Sequence, residues 1–430
     1  MRSALPSAIG LGRANRGLSP LWAGPLVALA CVVAGAGFIW AADQWFQRQP
    51  KVVVSAIGQG EVLVMRSGRL DLAGLAEAAD RAGRPGALRF TEPDVWSIST
   101  PVLVESGARL ELRDATVRLV STPGRVAWIH ALGGQVLIEA SSVTSWDPDR
   151  GRADTEVADG RSYIWASRGA WLDVVRSKLF RLGYRAGAES GLAWTESSGA
   201  ITGSTISSSF TGALVSANRA SVSVGRALPG LLLGPAGVRP AARSPAVSVQ
   251  DSTFRLSARN GFQVEGTCAL SVRGSTFSAN GSNGLAVQGQ GVALRLAGSR
   301  AFKNAASGFL VDGASDFTVI ESNLAWGNVE SGLALRNSGR VRLSANRAWS
   351  NTAGIEVIAP RRPTEVLDNV SSANRTDGLV LEVQRSALLA RVGGNRLDHN
   401  GRSGVWMLGL PVAVERWNTL VENPVAVGRP

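Results

Sequence analysis

The chain has 430 residues, with 45 Lys and Arg against 33 Asp and Glu, and its formal net charge is +12. Such a charge is common in nucleic-acid-binding proteins, but an exported, membrane-anchored chain makes a nucleic acid partner unexpected. An acidic polysaccharide or an acidic membrane surface fits better, and arginine-rich codon usage without any such partner is the alternative. Of the two cysteines, Cys31 lies in an apolar run near the N-terminus and Cys268 in a repeat, so we expect no disulfide between them.

The first 50 residues predict a membrane anchor. Residues 21–42 form an uninterrupted run without a charge, which is long enough to cross a bilayer. Arg2, Arg13 and Arg16 precede it without an acidic residue, so residues 1–20 are expected in the cytoplasm. A cleaved signal peptide is the alternative. Both interpretations place the rest of the chain outside the cytoplasm, in the periplasm or outside the cell.

Residues 51–100 are expected to form an N-terminal cap and the first strands. Between Leu70 and Ala82, the side chains of Leu72, Leu75, Ala76 and Ala79 lie on one helical face. A stack of repeats exposes apolar edges at its ends, which terminal elements must cover. We therefore predict a capping helix here.

The acidic loop that follows the first strands was considered as a metal site. Its carboxylates are those of Asp147, Asp149, Asp154, Glu156 and Asp159. Calcium is the ion that such oxygen ligands favour. Because Arg150 and Arg152 are interleaved with them, a solvated loop is favoured and we predict no metal. His130 is interpreted as a sheet residue and His399 as an exposed turn residue.

A repeat of 22 to 26 residues dominates the second half of the chain, and each unit carries a glycine followed by apolar residues one and three places later. These ladder glycines are Gly261, Gly284, Gly308, Gly332, Gly354, Gly378 and Gly404. Alternation with period two predicts a strand, and a repeat of this length predicts a solenoid. Gly237, Gly212 and Gly191 continue the ladder towards the N-terminus with weaker patterning.

Asparagines mark two turns in each repeat. One set precedes the glycines by three or four residues, and the other lies about half a repeat earlier; they are Asn280, Asn304, Asn328, Asn351, Asn374 and Asn400, and Asn323, Asn346, Asn369 and Asn395. Asn and Gly tolerate left-handed turn conformations, and stacked asparagines bond to one another. We predict an all-β fold, a right-handed parallel β-helix over residues 101–415 with two strands per coil, followed by a C-terminal tail over 416–430.

The pattern also names side chains on the outside of one sheet. If the residues one and three places after each glycine point inward, those two and four places after it point outward. The polar and aromatic residues in these two outward columns are Glu265, Gln288, Asp312, Arg336, Glu356, Glu382 and Trp406. We interpret them as a candidate binding strip for a sugar chain along the solenoid axis; a solvated outer face is the alternative.

The chain resembles the periplasmic mannuronan epimerases of alginate-producing bacteria. The resemblance rests on Ser145-Trp146-Asp147, on Ser-Lys-Leu-Phe-Arg-Leu-Gly-Tyr at 177–184 with Ser190-Gly191 after it, and on Gly-Leu-Ala-Leu-Arg-Asn-Ser at 332–338. It implies a right-handed β-helix and an Asp-Pro-His-Asp motif two residues after a ladder glycine, with the histidine as the base.

Counting repeats back from Gly332 places that motif after Gly237, where the chain has Arg239, Pro240, Ala241 and Ala242. Proton abstraction beside a carboxylate needs a base and a group that stabilises the enolate, and these residues supply neither. The resemblance therefore implies an inactive relative without a cofactor.

Three functions remain open from the sequence. The first is a non-catalytic protein that binds or guides an exported polysaccharide beside a synthase or export complex. The second is an epimerase or lyase that uses Glu265, Asp312, Arg336 or Glu356. The third is a structural protein of the cell envelope. A carboxylate and an arginine that converge in one groove would favour the second.

Overall fold

The computed structural model describes residues 49–430 except 58–59, 186, 218–245, 290, 315–317, 384–388, 410–413 and 415–417. The predicted anchor at 21–42 and the motif position at Arg239, Pro240, Ala241 and Ala242 lie outside the described residues. In the described part, no helix has the length and apolar character needed to span a bilayer.

The described residues form a right-handed parallel β-helix, as predicted. Each regular coil has three strands rather than the two we expected, and stacking the coils forms three parallel sheets, named here A, B and C in the order in which the chain visits them. The short strands that become sheet C lie between each B strand and the next ladder glycine. From β15 onwards they have three residues each, which are too few to show a period-two pattern, so the repeat did not reveal them.

Sheet A is formed by the strands that carry the apolar alternation after each ladder glycine. Its strands are β2 (Gly60–Leu70, whose end also joins sheet B), β5 (Val102–Glu105), β9 (Trp128–Leu132), β13 (Tyr163–Ser167), β16 (Leu192–Thr195), β19 (Ala213–Ala217), β22 (Phe262–Gly266), β25 (Leu285–Gln288), β28 (Phe309–Asp312), β31 (Ser331–Arg336), β34 (Ala353–Ile358), β37 (Asp377–Val383), β40 (Ser403–Gly409) and β42 (Val425–Gly428).

Sheets B and C complete each coil. Sheet B contains β6 (Ala108–Arg113), β10 (Gln135–Glu139), β14 (Trp171–Val175), β17 (Ser198–Thr202), β20 (Ala246–Gln250), β23 (Ala269–Arg273), β26 (Ala293–Ala297), β29 (Thr318–Glu321), β32 (Val341–Ser344), β35 (Thr364–Leu367) and β38 (Leu389–Gly393). Sheet C contains β4 (Val95–Ile98), β7 (Thr116–Thr122), β11 (Ser142–Asp147), β15 (Lys178–Phe180), β18 (Thr205–Ser207), β21 (Thr253–Arg255), β24 (Thr276–Ser278), β27 (Arg300–Phe302), β30 (Leu324–Trp326), β33 (Arg347–Trp349), β36 (Val370–Ser372), β39 (Arg396–Asp398) and β41 (Thr419–Val421).

The remaining elements are short. Four strands pair antiparallel with neighbours: β1 (Lys51–Ile57) with β2, β3 (Leu88–Glu92) with β4, β8 (Arg125–Val126) with β7, and β12 (Arg152–Ala153) with β11. A 3₁₀ helix spans Gly187–Glu189.

The predicted capping helix is present as α1 (Leu72–Arg81). It begins after Asp71, whose side chain accepts a hydrogen bond of 2.8 Å from the amide of Gly74 and so satisfies a free donor of the first turn. Leu72 and Leu75 are buried in the main apolar core together with the first coil. The helix therefore covers the N-terminal end of the solenoid.

Two ladders of buried side chains hold the turns together. From Asn280 to Asn423 one asparagine per coil lies in the turn between sheets C and A, and from Asn323 to Asn418 another lies between sheets B and C. Before Asn323 the second ladder continues as serines: Ser141, Ser177, Ser204, Ser252, Ser275 and Ser299.

The left-handed backbone at these turns is not where we expected it. Among the described residues, the residue before each ladder asparagine adopts positive φ, as Ala345 does with 56° before Asn346. The asparagines themselves and the ladder glycines from Gly261 onwards do not. The glycines are needed because there is little space around them. A Cβ on Gly354 would lie 1.7 Å from Ser371 Oγ, and 2.7 Å from both the carbonyl oxygen of Gly378 and the side-chain nitrogen Nδ2 of Asn374.

Two predictions about the extent and the numbering of the repeats are wrong. Strands β41 and β42 pair with β39 and β40, so the predicted tail at 416–430 belongs to the solenoid. Strand β19 pairs directly with β22, so no coil headed by Gly237 stands between those of Gly212 and Gly261. Residues 218–245 instead connect β19 to β20 within one coil.

Candidate functional site

The outer face of sheet A carries the predicted columns in full register. Two places after the glycines lie Gln263, Ala286, Leu310, Ala334, Glu356, Val380 and Trp406; four places after them lie Glu265, Gln288, Asp312, Arg336, Ile358, Glu382 and Leu408. The intervening side chains, such as Phe262 and Val264, are fully buried. The polar side chains of the candidate strip therefore share one face.

A cleft of about 300 Å³, here called the N-terminal cleft, opens on this face between the coils of Ser190 and Gln288. Glu265 lies in it and accepts a hydrogen bond of 2.5 Å from Gln263 Nε2, and Asn260 donates to Gln263 Oε1 at 2.9 Å. Arg259 lines the rim, with its guanidinium 5.8 Å from the Phe210 ring centroid. The cleft thus combines amide, carboxylate and guanidinium groups.

A second cleft of about 460 Å³, the C-terminal cleft, is lined by Gln288, Gly289, Asp312, Gly313, Asn337 and Arg361. Asn337 donates from Nδ2 to Asp312 Oδ1 at 3.1 Å, and Arg361 donates from Nε to the Asn337 carbonyl at 2.6 Å. Because Gln288 lines both clefts, they adjoin on this face, and the two together are here called the polar channel.

Arg336 lies beside this channel between two carboxylates. It is the register neighbour of Asp312, and its Nη2 lies 3.3 Å from Glu356 Oε2. A carboxylate and an arginine therefore do converge, but as an ion pair in which Glu356 already neutralises the arginine. The charge of Arg336 is only partly available to a ligand.

Glu382 and Trp406 lie outside both clefts. Glu382 is in register between Ile358 and Leu408. The Trp406 ring is half-buried: the Arg402 guanidinium lies 3.9 Å from its centroid, and a Cβ on Gly428 would come within 2.5 Å of it. These neighbours leave less of the ring free than the sequence suggested.

Sequence reasoning missed Arg259, Asn260, Asn337 and Arg361, which line the channel from the turns at the two edges of sheet A. The strand alternation does not extend to turn residues, and no repeated offset marks them: Arg259 lies two residues before Gly261 and Arg361 seven after Gly354.

The outer face of the first coils is aromatic instead of polar. The rings of Trp128 and Tyr163 are stacked with centroids 6.4 Å apart, and those of His130 and Trp165 at 3.9 Å. His130 Nε2 lies 2.7 Å from Ser167 Oγ. Burial, with a smaller contribution from Arg168, lowers the pKa of His130 to about 4. His130 is thus a neutral sheet residue, as predicted.

The acidic loop uses its carboxylates to hold its own backbone. Asp147 Oδ1 accepts from the amides of Asp149 and Arg150, and the buried Asp154 accepts from Ser145 Oγ and the amide of Glu156. Burial raises the pKa of Asp154. Across the described ranges, no three His, Cys, Asp or Glu side chains are placed to hold a metal ion.

Comparison with known proteins agrees with this geometry. The sequence pattern described as "Right handed beta helix region" matches residues 260–411. The crystal structure of the periplasmic alginate epimerase AlgG superposes with a TM-score of 0.68 over 90% of this chain and 94% of that one, at 16% identity. The chain has the fold of the periplasmic alginate epimerases. At this identity the likeness establishes the fold alone.

Two further solved structures were compared with the chain. A mutant form of AlgG superposes with a TM-score of 0.63 at 17% identity, over 91% of this chain and 96% of that one. The A-module of the Azotobacter vinelandii mannuronan C-5 epimerase AlgE6 gives 0.45 at 12% identity, over 85% and 96%. No curated protein sequence matches the chain significantly.

The strand pairing corrects where the epimerase motif would fall. Counting four coils back from Gly332 reaches Gly212 and not Gly237, because β19 pairs directly with β22. The positions two to five after Gly212 are Leu214, Val215, Ser216 and Ala217. They contain neither a histidine nor a carboxylate.

Proposed function

We propose that the protein is anchored in the membrane by residues 21–42 and binds or guides an exported, acidic polysaccharide through the polar channel of sheet A, without catalysis. The observation that carries this proposal is the meeting of the two clefts at Gln288. A site that continues over several coils suits a polymer better than a small molecule.

The lining groups have the chemistry of carbohydrate recognition. Sugar hydroxyls both donate and accept hydrogen bonds, and the channel offers acceptors on Glu265 and Asp312 and both kinds of group on Gln288 and Asn260. The absence of a histidine and a carboxylate at Leu214–Ala217 supports binding over the family's chemistry. A synthase or export complex is the expected second partner.

The test measures binding of the full chain in detergent micelles to soluble polyuronate. Gln288→Ala is expected to weaken binding roughly three- to tenfold, the range for one hydrogen bond. Gln250→Ala is the matched control, since Gln250 is an equally exposed glutamine on sheet B. Equal affinities for the two variants would reject the channel as the site. No retention of polyuronate or of a neutral glycan would reject the function and favour a structural role.

Catalysis is the second candidate, because Arg336 lies between Asp312 and Glu356. One of these carboxylates could remove the proton beside a uronate carboxylate while Arg336 stabilises the resulting negative charge. The proton would return on the opposite face in an epimerase, or the neighbouring glycosidic oxygen would leave in a lyase. Incubation of polyuronate with the chain in D₂O tests both outcomes. Deuterium uptake or an unsaturated product, abolished by Asp312→Asn, would establish an enzyme, and neither would reject it.

The anchor has its own test. In intact cells, an external protease that reaches the periplasm is expected to digest the described residues and to leave a membrane-bound N-terminal fragment. A soluble mature protein that begins after residue 42 would instead establish a cleaved signal peptide.

A further inference from the structure

We propose that Arg259 and Arg361 bind the carboxylates of an acidic polysaccharide and thereby make the channel selective for a uronate-containing chain. This inference rests on the proposed function and names the class of ligand. Neither residue belongs to the outward strand columns.

The channel needs a source of positive charge if it is to hold a polyanion. Its strand positions contribute the carboxylates of Glu265 and Asp312, which would repel the carboxylates of a ligand. Arg336 cannot compensate for both, because Glu356 engages it at 3.3 Å. Arg402, further along the face, is paired with the buried Asp377. The positive charge has to come from elsewhere.

Arg259 and Arg361 differ from these arginines because no described carboxylate lies within 4 Å of either guanidinium. Both are exposed, and each lines a cleft. An arginine that faces a cleft without a carboxylate partner keeps its full charge and its paired donors for a ligand. Guanidinium groups bind carboxylates through two parallel hydrogen bonds, a geometry that lysine cannot form.

Arg361 is held in place before any ligand arrives. Its Nε donates to the carbonyl oxygen of Asn337 at 2.6 Å, which leaves the Nη donors free. Nη2 lies over Gly313, 3.6 Å from the position of a hypothetical Cβ, so a side chain at residue 313 would contact the guanidinium. The glycine keeps the approach to Nη2 open. Less conformational entropy is lost on binding when the donor is already positioned.

Arg259 occupies the opposite edge of the same sheet. It precedes β22 in the turn from sheet C, whereas Arg361 follows β34 in the turn towards sheet B. Its main chain is fixed by a hydrogen bond of 2.9 Å from its amide to the carbonyl of Phe210. Gln288 lies between the two clefts. A chain whose carboxylates project to both sides can therefore reach one arginine at each edge.

The experiment compares the affinity of the full chain for polygalacturonate and for the same polymer with its carboxyl groups methyl-esterified. Wild-type protein is expected to bind the free acid at least about tenfold more tightly at low salt, which corresponds to one charge-assisted hydrogen-bonded contact. Arg361→Gln and Arg259→Gln are each expected to remove most of that preference, because affinity for the acid falls much more than affinity for the ester. Arg361→Lys retains the charge without the paired donors and should be intermediate.

Arg342→Gln is the matched control, since Arg342 is an exposed arginine in β32 on sheet B. Circular dichroism of each variant checks that the fold is intact. If wild-type protein binds both polymers but both glutamine variants keep the preference for the acid, the inference is overturned while the proposed function stands. If neither polymer binds, the proposed function itself fails.

Discussion

The coils before residue 200 and those after residue 260 stack in the same register with different residues. After Gly261 the turn from sheet C carries a buried asparagine, and a glycine lies just before the next strand or at its second residue. At the positions in register with those glycines, the earlier coils carry Trp128 and Tyr163, whose rings stack on each other outside the sheet.

This difference explains why the glycines occur where they do. In the later coils a Cβ at the glycine would come within about 3 Å of the asparagine amide nitrogen of the next coil, as it does at Gly332 with 2.9 Å from Asn351 Nδ2. The glycines are therefore required by the asparagines together with a backbone carbonyl of the next coil, which at Gly332 is that of Gly354 at 2.7 Å. At Trp128 and Tyr163, where no asparagine occupies the turn, a large side chain is accommodated. A clearly repeated glycine and asparagine pattern therefore indicates tightly packed turns.

The largest expected effect is a loss of stability when an asparagine of the ladder between sheets B and C is removed, compared with removal of a serine from the same ladder. Asn346 accepts from the backbone and side-chain amides of Asn323 and donates to the carbonyls of Ile320 and Ser344 and to Asn369. Asn346→Ala leaves several buried groups unpaired and is expected to lower the free energy of unfolding by roughly 3–5 kcal/mol. Chemical denaturation followed by circular dichroism measures it.

Ser204→Ala is the matched change in the serine part. Ser204 accepts one amide hydrogen bond, from Ser177, and its hydroxyl donates at 2.8 Å to Thr202. The expected loss is about 1–2 kcal/mol. Equal losses for the two variants would mean that the longer side-chain ladder contributes no additional stability.

Adding a single methyl group at a ladder glycine should destabilise the fold. Gly354→Ala places a Cβ against Ser371 Oγ and the Gly378 carbonyl, and overpacking of this kind is expected to cost about 3 kcal/mol. Trp128→Phe, at the corresponding position of an early coil, should cost less than about 1.5 kcal/mol because a ring is already accommodated there. Thermal unfolding of both variants gives the comparison, and a tolerated Gly354→Ala would contradict the steric explanation.

His130 gives the aromatic coils a pH dependence of their own. Its pKa is lowered in the folded state from 6.5 to about 4, so between these values the unfolded chain binds more protons and stability falls as the pH falls. Between pH 7 and pH 5 the contribution is about 2 kcal/mol. Denaturation midpoints at the two pH values measure it. In His130→Gln, this part of the pH dependence should disappear; its persistence would assign the effect to other groups.

The smallest effect is a stabilisation. Ala345 adopts φ of 56° before Asn346, a conformation that costs a residue with a Cβ about 1–2 kcal/mol. Ala345→Gly should therefore raise the free energy of unfolding by about 0.5–1 kcal/mol after the greater entropy of glycine in the unfolded chain is subtracted. Gly298→Ala, before Ser299 in the serine part, should have the opposite sign, since that glycine has φ of 58° and open space around it.

Much of the fold could be predicted because the residues that recur in each repeat have strict steric roles. The ladder glycines, the asparagines and the outward columns all follow from counting. The coil assigned to Gly237 could not be corrected by counting, since a long connection within one coil has the length of a repeat. The sequence likewise could not show that Glu356 engages Arg336, because a pairing between neighbouring strands depends on side-chain reach.

The site was predicted in part for the same reason. Strand positions such as Gln288 and Asp312 obey the alternation and were found, whereas Arg259 and Arg361 lie in turns, where no period indicates the direction of a side chain. Their proposed role depends on their surroundings, above all on the absence of a described carboxylate close to either guanidinium.

The asparagine ladders also have a direction. Each side-chain oxygen accepts from the coil before it, as Asn304 Oδ1 does from Asn280, and each side-chain nitrogen donates back to that coil, as Asn304 does to Phe277. A new coil therefore finds the backward partners of its amide in its predecessor, while one donor bond runs forward to the next coil, as from Asn304 to Asn328. The molecule can be completed one turn at a time in the order in which a ribosome makes it, with each finished turn serving as the template for the next.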